Sequence, residues 1–164
     1  MNQNHKEPAE VINRQIKELV GIYRDAIKQL NIPESEFWIW YTLVATEGNY
    51  TQQDICNTWS LPKQTVNTII TRMRLKKQAY LEVIPGTRNH KVIRLTETGK
   101  KYGEKIVSPI SQAEERSFEK ISPDELALVT NALGKYIDIV RNELRETANS
   151  QLPRRPRKFD ILKQ

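Results

Sequence analysis

The helical phase of residues 60–76 is the feature that most constrains how this chain folds. Four apolar residues recur there at steps of three and four, and so share one face of a helix: Val66, Ile69, Ile70 and Met73. Four short, uncharged side chains that can form hydrogen bonds lie on the opposite face: Gln64, Asn67, Thr68 and Thr71. A helix of this kind buries one face and offers the other to a polar partner.

Two strands are predicted directly after this helix. Residues 80–84 and 91–95 are rich in β-branched and aromatic side chains that roughly alternate with polar ones. Pro85-Gly86 is a turn signal between them, and residues 87–90 lie at the tip of the resulting hairpin. A polar-faced helix followed by a hairpin with a basic tip is the outline of a winged helix-turn-helix.

A shorter helix is predicted just before the polar-faced one. Thr51 is its candidate N-cap, with Asp54 three residues later as in a capping box. Ser60 is the candidate N-cap of the polar-faced helix, and Pro62 falls at an early helical position. Residues 51–73 therefore have the spacing of a helix-turn-helix motif.

Long amphipathic helices flank this motif, so the expected fold class is mainly α, with a small wing of two or three strands. We expect four regions: 1–33, an N-terminal helix of a dimerisation region; 34–95, the winged helix-turn-helix; 96–148, two C-terminal dimerisation helices; and 149–164, a basic, flexible tail. The last helix carries two apolar strips, which is more than one small core requires. We therefore expect it to be buried against another subunit.

The positive charge is concentrated in two places. Residues 60–105 contain 11 Lys/Arg and 3 Asp/Glu, and residues 149–164 contain 5 and 1, whereas residues 1–59 and 106–148 each have a net charge of −3. Such a partition is the electrostatic footprint expected of a protein that binds a polyanion, because neutralised phosphates release counterions. Double-stranded DNA is the predicted partner. The tail is either a solvated extension or a sequence-independent phosphate contact.

Several other classes of protein are disfavoured. No run of about 18 apolar residues predicts a membrane span, and the first ten residues lack the apolar core of a secretory signal. One cysteine and two distant histidines give no disulfide framework, metal cluster or catalytic constellation. We therefore expect a cytoplasmic protein that is not an enzyme and needs no metal or cofactor.

Three segments together are similar to one known family: TQQDICNTWSLPKQTVNTIITRM, VIRLTETGK and SPDEL. In this order they resemble the multiple-antibiotic-resistance regulator (MarR) family of bacterial transcription factors, over about residues 8–148. The resemblance implies a homodimer in which the first, fifth and sixth helices of two chains intertwine. It also implies a recognition helix in the major groove and a wing in the adjacent minor groove. The chain departs from the family in having Lys77-Gln78 where Gly is frequent, and Thr87-Arg88-Asn89 where Asp-x-Arg is common.

The candidate DNA contacts fall into three groups. Base-edge candidates are the polar strip Gln64, Asn67, Thr68 and Thr71, because Gln and Asn can pair bidentately with adenine and Thr can contact a thymine methyl. Phosphate candidates are Thr51, Gln52, Lys63, Thr65, Arg72, Arg74 and Lys76. Minor-groove candidates are Arg88, Asn89, His90 and Lys91, with Arg88 the leading one. Arg72 has an alternative role in an internal ion pair, Thr51 as a simple cap, and His90 as an ordinary turn residue.

A group of aromatic residues in the first two helices is a candidate effector pocket for a small aromatic or phenolic molecule: Tyr23, Phe37, Trp38, Trp40 and Tyr41. The alternative is that these rings belong to the core. Cys56 is either a redox-sensing thiol or a small buried residue, and its position inside a motif helix favours burial.

The function predicted from these features is a homodimeric, sequence-specific transcriptional regulator, acting as a repressor that an effector releases from DNA. The alternative is a winged-helix module for protein–protein assembly or non-specific nucleic-acid packing. The uncharged polar helix face favours recognition of a specific DNA sequence over non-specific packing of nucleic acid.

Overall fold

Six helices and one hairpin make up the part of the chain described by the computed structural model, which covers residues 3–46, 48–84, 86 and 91–150, with residues 3–6 described by their backbone alone. The helices are α1 (Gln3–Lys28), α2 (Glu34–Ala45), α3 (Gln52–Trp59), α4 (Lys63–Leu75), α5 (Glu97–Phe118) and α6 (Pro123–Ser150), and the strands are β1 (Ala79–Val83) and β2 (Lys91–Leu95). The predicted fold class, mainly α with a small β wing, is therefore confirmed. Helix α1 already begins at Gln3, because Glu7, Ala9 and Glu10 favour a helix without needing an apolar stripe.

The chain divides into two compact units, Met1–Glu114 and Glu115–Gln164, with the boundary inside α5. In the first unit, the core is centred on α2, where Phe37, Ile39 and Trp40 are completely buried. The apolar faces of α3, α4 and the hairpin pack onto the same core through residues such as Ile55 and Ile93. The first unit thus has a hydrophobic core of its own.

The two strands of the hairpin are antiparallel, and Ala79 pairs with Leu95 while Val83 pairs with Lys91. The backbone N–H of Ile93 also donates to the carbonyl of Tyr50, 2.8 Å away, so β2 has a further backbone partner just before α3. Among the described residues the sheet has two strands, within the predicted range of two to three.

The second unit contains the end of α5 and the whole of α6. Ser122 caps α6: its hydroxyl accepts from the Glu125 N–H at 3.3 Å, and its backbone N–H and hydroxyl donate to the Glu125 carboxylate at 3.0 and 2.6 Å. These bonds lower the pKa of Glu125. No residue of α6 is buried, although the helix carries the predicted apolar strips.

Candidate nucleic-acid interface

A three-residue turn joins α3 to α4. Helix α3 begins with the predicted capping box, in which the Thr51 hydroxyl accepts from the Asp54 N–H at 3.2 Å and the Thr51 N–H donates to the Asp54 carboxylate at 2.8 Å. The expected role of Ser60 is wrong: it ends α3 in the left-handed conformation (φ 51°) instead of capping α4. Pro62 precedes α4, because its fixed φ and missing N–H suit the residue at a helix start.

Helix α4 has the two faces that its sequence predicts. Val66, Ile69, Ile70 and Met73 are buried. All four base-edge candidates are exposed on the other side: Gln64, Asn67, Thr68 and Thr71. The hydroxyl of Thr68 donates to the Gln64 carbonyl at 2.9 Å, so its hydrogen points back along the helix. The exposed strip of short polar side chains therefore lies on a helix whose opposite face is buried in the hydrophobic core.

The phosphate candidates around this strip differ in exposure. Lys63, Arg74 and Lys76 are exposed, and Thr65 is half-buried. Arg72 is also half-buried, and its guanidinium forms an ion pair with Glu36 of α2. The structure therefore contains the internal pair that was the alternative role for Arg72.

A shallow groove of about 380 Å³ brings α3, α4 and the wing together. It is lined by Thr51, Gln52, Gln53, Lys63, Asn67, Leu81 and Lys91. Thr51 is buried, and its hydroxyl also donates to the Asp54 carboxylate at 2.7 Å, so it acts as a cap. Gln52 is half-buried, and both lysines are exposed. The groove thus places two ammonium groups beside the polar strip of α4.

Of the minor-groove candidates, Lys91 is exposed at the start of β2. Arg88, Asn89 and His90 lie outside the described residues. Elsewhere on the hairpin, Arg94 of β2 pairs with Glu82 of β1 at 2.6 Å. Lys91 is therefore the described member of the predicted wing contact.

The comparisons with known proteins place this geometry in a known fold. No protein-family model and no curated protein matches the chain. A solved structure of NMB1585, a MarR family regulator from Neisseria meningitidis, is 24% identical and superposes with a TM-score of 0.74 over 90% of this chain and 99% of that one. This chain has the MarR fold.

Two other structures agree with this assignment. MepR of S. aureus in its DNA-binding conformation is 20% identical, with a TM-score of 0.63 over 80% of this chain and 97% of that one. BpsR of Bordetella bronchiseptica, whose structure concerns regulation of DNA binding by 6-hydroxynicotinic acid, is 19% identical, with a TM-score of 0.56 over 82% and 95%. The predicted resemblance to the MarR family is confirmed at the level of the fold.

One departure from the usual MarR sequence has a structural explanation. Lys77 lies just past α4 with a φ of 55°. Its N–H donates to the Arg74 carbonyl at 2.9 Å, and the Gln78 N–H donates to the Met73 carbonyl at 2.9 Å, which together form a Schellman motif. Glycine is favoured at this position because only glycine adopts a positive φ without strain. Lys77 adopts the same conformation at a cost in free energy.

The joint between α4 and α5 is tightly packed in this MarR fold. The Thr96 hydroxyl donates to the Lys77 carbonyl at 2.8 Å and accepts from the Gly99 N–H at 3.1 Å. A Cβ on Gly99 would lie 1.9 Å from the Gln78 carbonyl oxygen. The turn after α4 therefore touches the first turn of α5 directly.

The candidate effector residues separate into core and half-buried groups. Phe37 and Trp40 are completely buried. Tyr23, Trp38 and Tyr41 are half-buried. The ring of Trp38 stacks on that of Trp59 at 4.2 Å, and the Trp59 N–H donates to the Thr42 hydroxyl at 2.6 Å.

Glu114 of α5, which was absent from the sequence-based candidates, joins this aromatic group. Its two carboxylate oxygens accept from the hydroxyls of Tyr23 and Tyr41 at 2.6 and 2.8 Å. Burial and the neighbouring carboxylate raise the pKa of Tyr41 to about 12 and that of Tyr23 further, so both phenols stay protonated. A sign of the site was available, since half-buried tyrosine hydroxyls need a partner.

Glu36 was also missed, although an acidic residue next to the apolar run of α2 has to find a partner when it is buried. Cys56 is buried, which agrees with the prediction of a small core residue.

Within the described ranges, no group of three His, Cys, Asp or Glu side chains is placed to hold a metal ion. None of the described helices is both long and apolar enough to cross a bilayer.

Proposed function

We propose that this protein is a sequence-specific DNA-binding transcriptional regulator. The observation that carries the proposal is the exposed, uncharged polar strip on α4, which is fixed from behind by four buried apolar residues. In this proposal Gln64, Asn67, Thr68 and Thr71 contact base edges in the major groove. The exposed Lys63, Arg74 and Lys76 hold phosphates and set the register.

The wing and α3 complete the proposed interface. Lys91 lies in the same groove as Gln52 and Lys63, which supports a path for the DNA backbone between α3 and the wing. Arg88, Asn89 and His90 are the proposed minor-groove contacts.

The protein acts as a homodimer in this proposal. Large apolar side chains are exposed along α1 and α6, including Ile16, Leu19, Leu128 and Ile137. A second copy covers them and sets two recognition helices at the separation of successive major grooves, about 34–36 Å. Symmetric dimers read pseudopalindromic sites in this way.

We further propose repression that a small aromatic or phenolic effector relieves. The DNA binding of BpsR, which shares the MarR fold, is regulated by 6-hydroxynicotinic acid. In this chain the half-buried Tyr23, Trp38 and Tyr41 are the proposed contacts. Binding there would favour a dimer whose recognition helices no longer match the operator. The proposed regulator is bacterial and cytoplasmic, and it catalyses no reaction.

The test is a selection of preferred duplexes from a randomised pool, followed by titrations on the selected and a scrambled duplex at several salt concentrations. A regulator prefers the selected duplex by at least about 10³-fold. Equal affinity for both, with only a salt slope, would indicate the alternative of non-specific packing.

The role of each side chain has a separate readout in the same assay. We expect Gln64→Ala to relax the preference at one base position, at a cost of about 1–3 kcal/mol. Lys63→Ala should weaken binding to all duplexes alike and reduce the salt slope by about 1. If both variants lose affinity without a change of preference, the division between base and phosphate contacts is wrong.

A further inference from the structure

Glu36 is an acid buried in the apolar helix α2. The residue is 7% exposed, and its neighbours Phe37 and Trp40 are completely buried. Burying a carboxylate is costly unless a cation and hydrogen bonds compensate for its lost hydration. Oε2 of Glu36 accepts a hydrogen bond from a terminal nitrogen of Arg72 in α4. In addition to the apolar packing, this ion pair links α2 to α4.

The pair is asymmetric, because the acid lies inside and the base reaches the surface. The side chain of Arg72 is 43% exposed, whereas that of Glu36 is 10% exposed. A guanidinium has five donors in one rigid plane, so fixing one nitrogen also fixes the direction of the others. Arg72 is thereby oriented at the surface by a partner that the core holds in place.

The oriented guanidinium lies beside the residues proposed to read bases. Gln64, Thr68 and Arg72 are spaced by four residues, so they form one strip along α4. All three line a groove of about 290 Å³ between α4 and the start of α2, together with Pro33, Ser35, Thr65 and Ile69. A duplex that meets Gln64 and Thr68 therefore also meets Arg72.

We propose that Glu36 is a positioning residue for DNA recognition, which holds the guanidinium of Arg72 where it binds a phosphate beside the bases that Gln64 and Thr68 contact. This inference rests on the proposed function. Both roles foreseen for Arg72 are then combined, since one edge of its plane meets Glu36 and another meets DNA. Bidentate and bridging geometry of this kind is available to Arg and not to Lys.

The sign of one substitution separates this role from a bystander role. A carboxylate near the DNA repels phosphates, so Glu36→Gln should leave the affinity unchanged or raise it if Glu36 only neutralises charge. If Glu36 positions Arg72, the same substitution weakens binding even though it removes a negative charge. We expect the Kd for the selected duplex to rise about tenfold.

The experiment titrates the full chain and its variants on the selected duplex across a series of salt concentrations, after thermal unfolding has confirmed that each variant is folded. Glu34→Gln is the matched control. It also removes a carboxylate from the first turn of α2, but Glu34 pairs with Arg24, at 3.4 Å, and not with Arg72. We expect the control to bind as tightly as the wild type or slightly tighter. Arg72→Ala should lower the salt slope by about 0.9 for each phosphate that the arginine neutralises in the wild type.

A double variant tests whether the two residues act in series. Glu36→Gln combined with Arg72→Ala should bind no more weakly than Arg72→Ala alone, because the acid acts through the arginine. Further weakening, or a Glu36→Gln variant that binds as tightly as the wild type, would overturn the proposal. If Glu36→Gln does not fold, Arg72→Lys decides: wild-type affinity would overturn the proposal, and a loss of about tenfold supports it. A wild type that prefers no duplex instead refutes the regulator function itself.

Discussion

Helices α4 and α6 both carry apolar residues at helical spacing, but those of α4 that face the core are buried and those of α6 are exposed. The four apolar residues of α4 that face the core are at most 5% exposed. In α6 no residue is buried, and six large apolar side chains are 41–69% exposed: Leu128, Val129, Leu133, Ile137, Ile139 and Leu144. An apolar stripe thus predicts that a surface will be covered without saying which molecule covers it.

In the proposed function the two helices have different tasks. Helix α4 presents a polar strip to DNA in a fixed position, because its apolar face is buried in the core of its own unit. Helix α6 keeps its apolar surface available, and in the proposed dimer a second copy covers it. Stability of the first kind is independent of protein concentration, whereas stability of the second kind rises with concentration.

The largest expected effect is in the core behind α4. Ile70 is 1% exposed, and Ile70→Ala should lower the free energy of unfolding by about 2–5 kcal/mol through lost burial and a cavity. Urea unfolding measures the change. Leu75 of the same helix is 81% exposed, so Leu75→Ala should change stability by no more than about 0.5 kcal/mol. Equal losses in both variants would contradict the assignment of faces.

The second prediction compares Gly99, at the joint between α4 and α5, with Gly134 of α6. Gly99→Ala places a Cβ 1.9 Å from a backbone oxygen and should cost about 2–3 kcal/mol, because the joint between α4 and α5 has to open. A Cβ added at Gly134 of α6 would meet no atom within 4 Å, so Gly134→Ala should stabilise the helix by about 0.5–1 kcal/mol. Thermal unfolding of both variants checks the pair. Stabilisation by Gly99→Ala would show that the joint is loose.

The third prediction concerns the apolar surface of α6. Ile137→Asp should weaken dimerisation by about 2 kcal/mol, roughly a thirtyfold rise in the dimer Kd, because a charge replaces an apolar contact. Sedimentation equilibrium gives the dimer Kd. Asn131→Asp adds the same charge about 120° away around the helix and should leave association unchanged. Loss of the dimer in both variants, or in neither, would place the interface elsewhere.

The smallest effect is at the end of α4. Lys77→Gly should stabilise the chain by about 0.5–1 kcal/mol, because glycine adopts the positive φ of 55° without strain. Lys76 has an ordinary φ of −78°, so Lys76→Gly should instead destabilise by a similar amount. Thermal unfolding at one protein concentration distinguishes the two signs. A loss of stability in Lys77→Gly would mean that the lysine side chain makes a compensating contact.

Local chemistry made much of α3, α4 and the hairpin predictable. The Thr51–Asp54 capping box, both faces of α4 and the second strand all follow from residues close together in the sequence. The error at Ser60 has a local cause as well, because serine suits an N-cap while a Schellman motif at the end of α3 places it in the left-handed region instead.

By itself, the sequence determined the order of elements, the faces of the helices and the concentration of positive charge in residues 60–105, because periodicity, caps and charge act over a few residues. Only the tertiary structure brought Glu36 to Arg72, which is 36 residues away, and Glu114 to Tyr23, which is 91 residues away. A buried polar group needs a hydrogen-bonding partner, but the packing of helices distant in sequence decides which residue that partner is. The tertiary structure also decides that the apolar stripe of α4 lies in the core of its own unit, whereas the apolar stripe of α6 stays exposed.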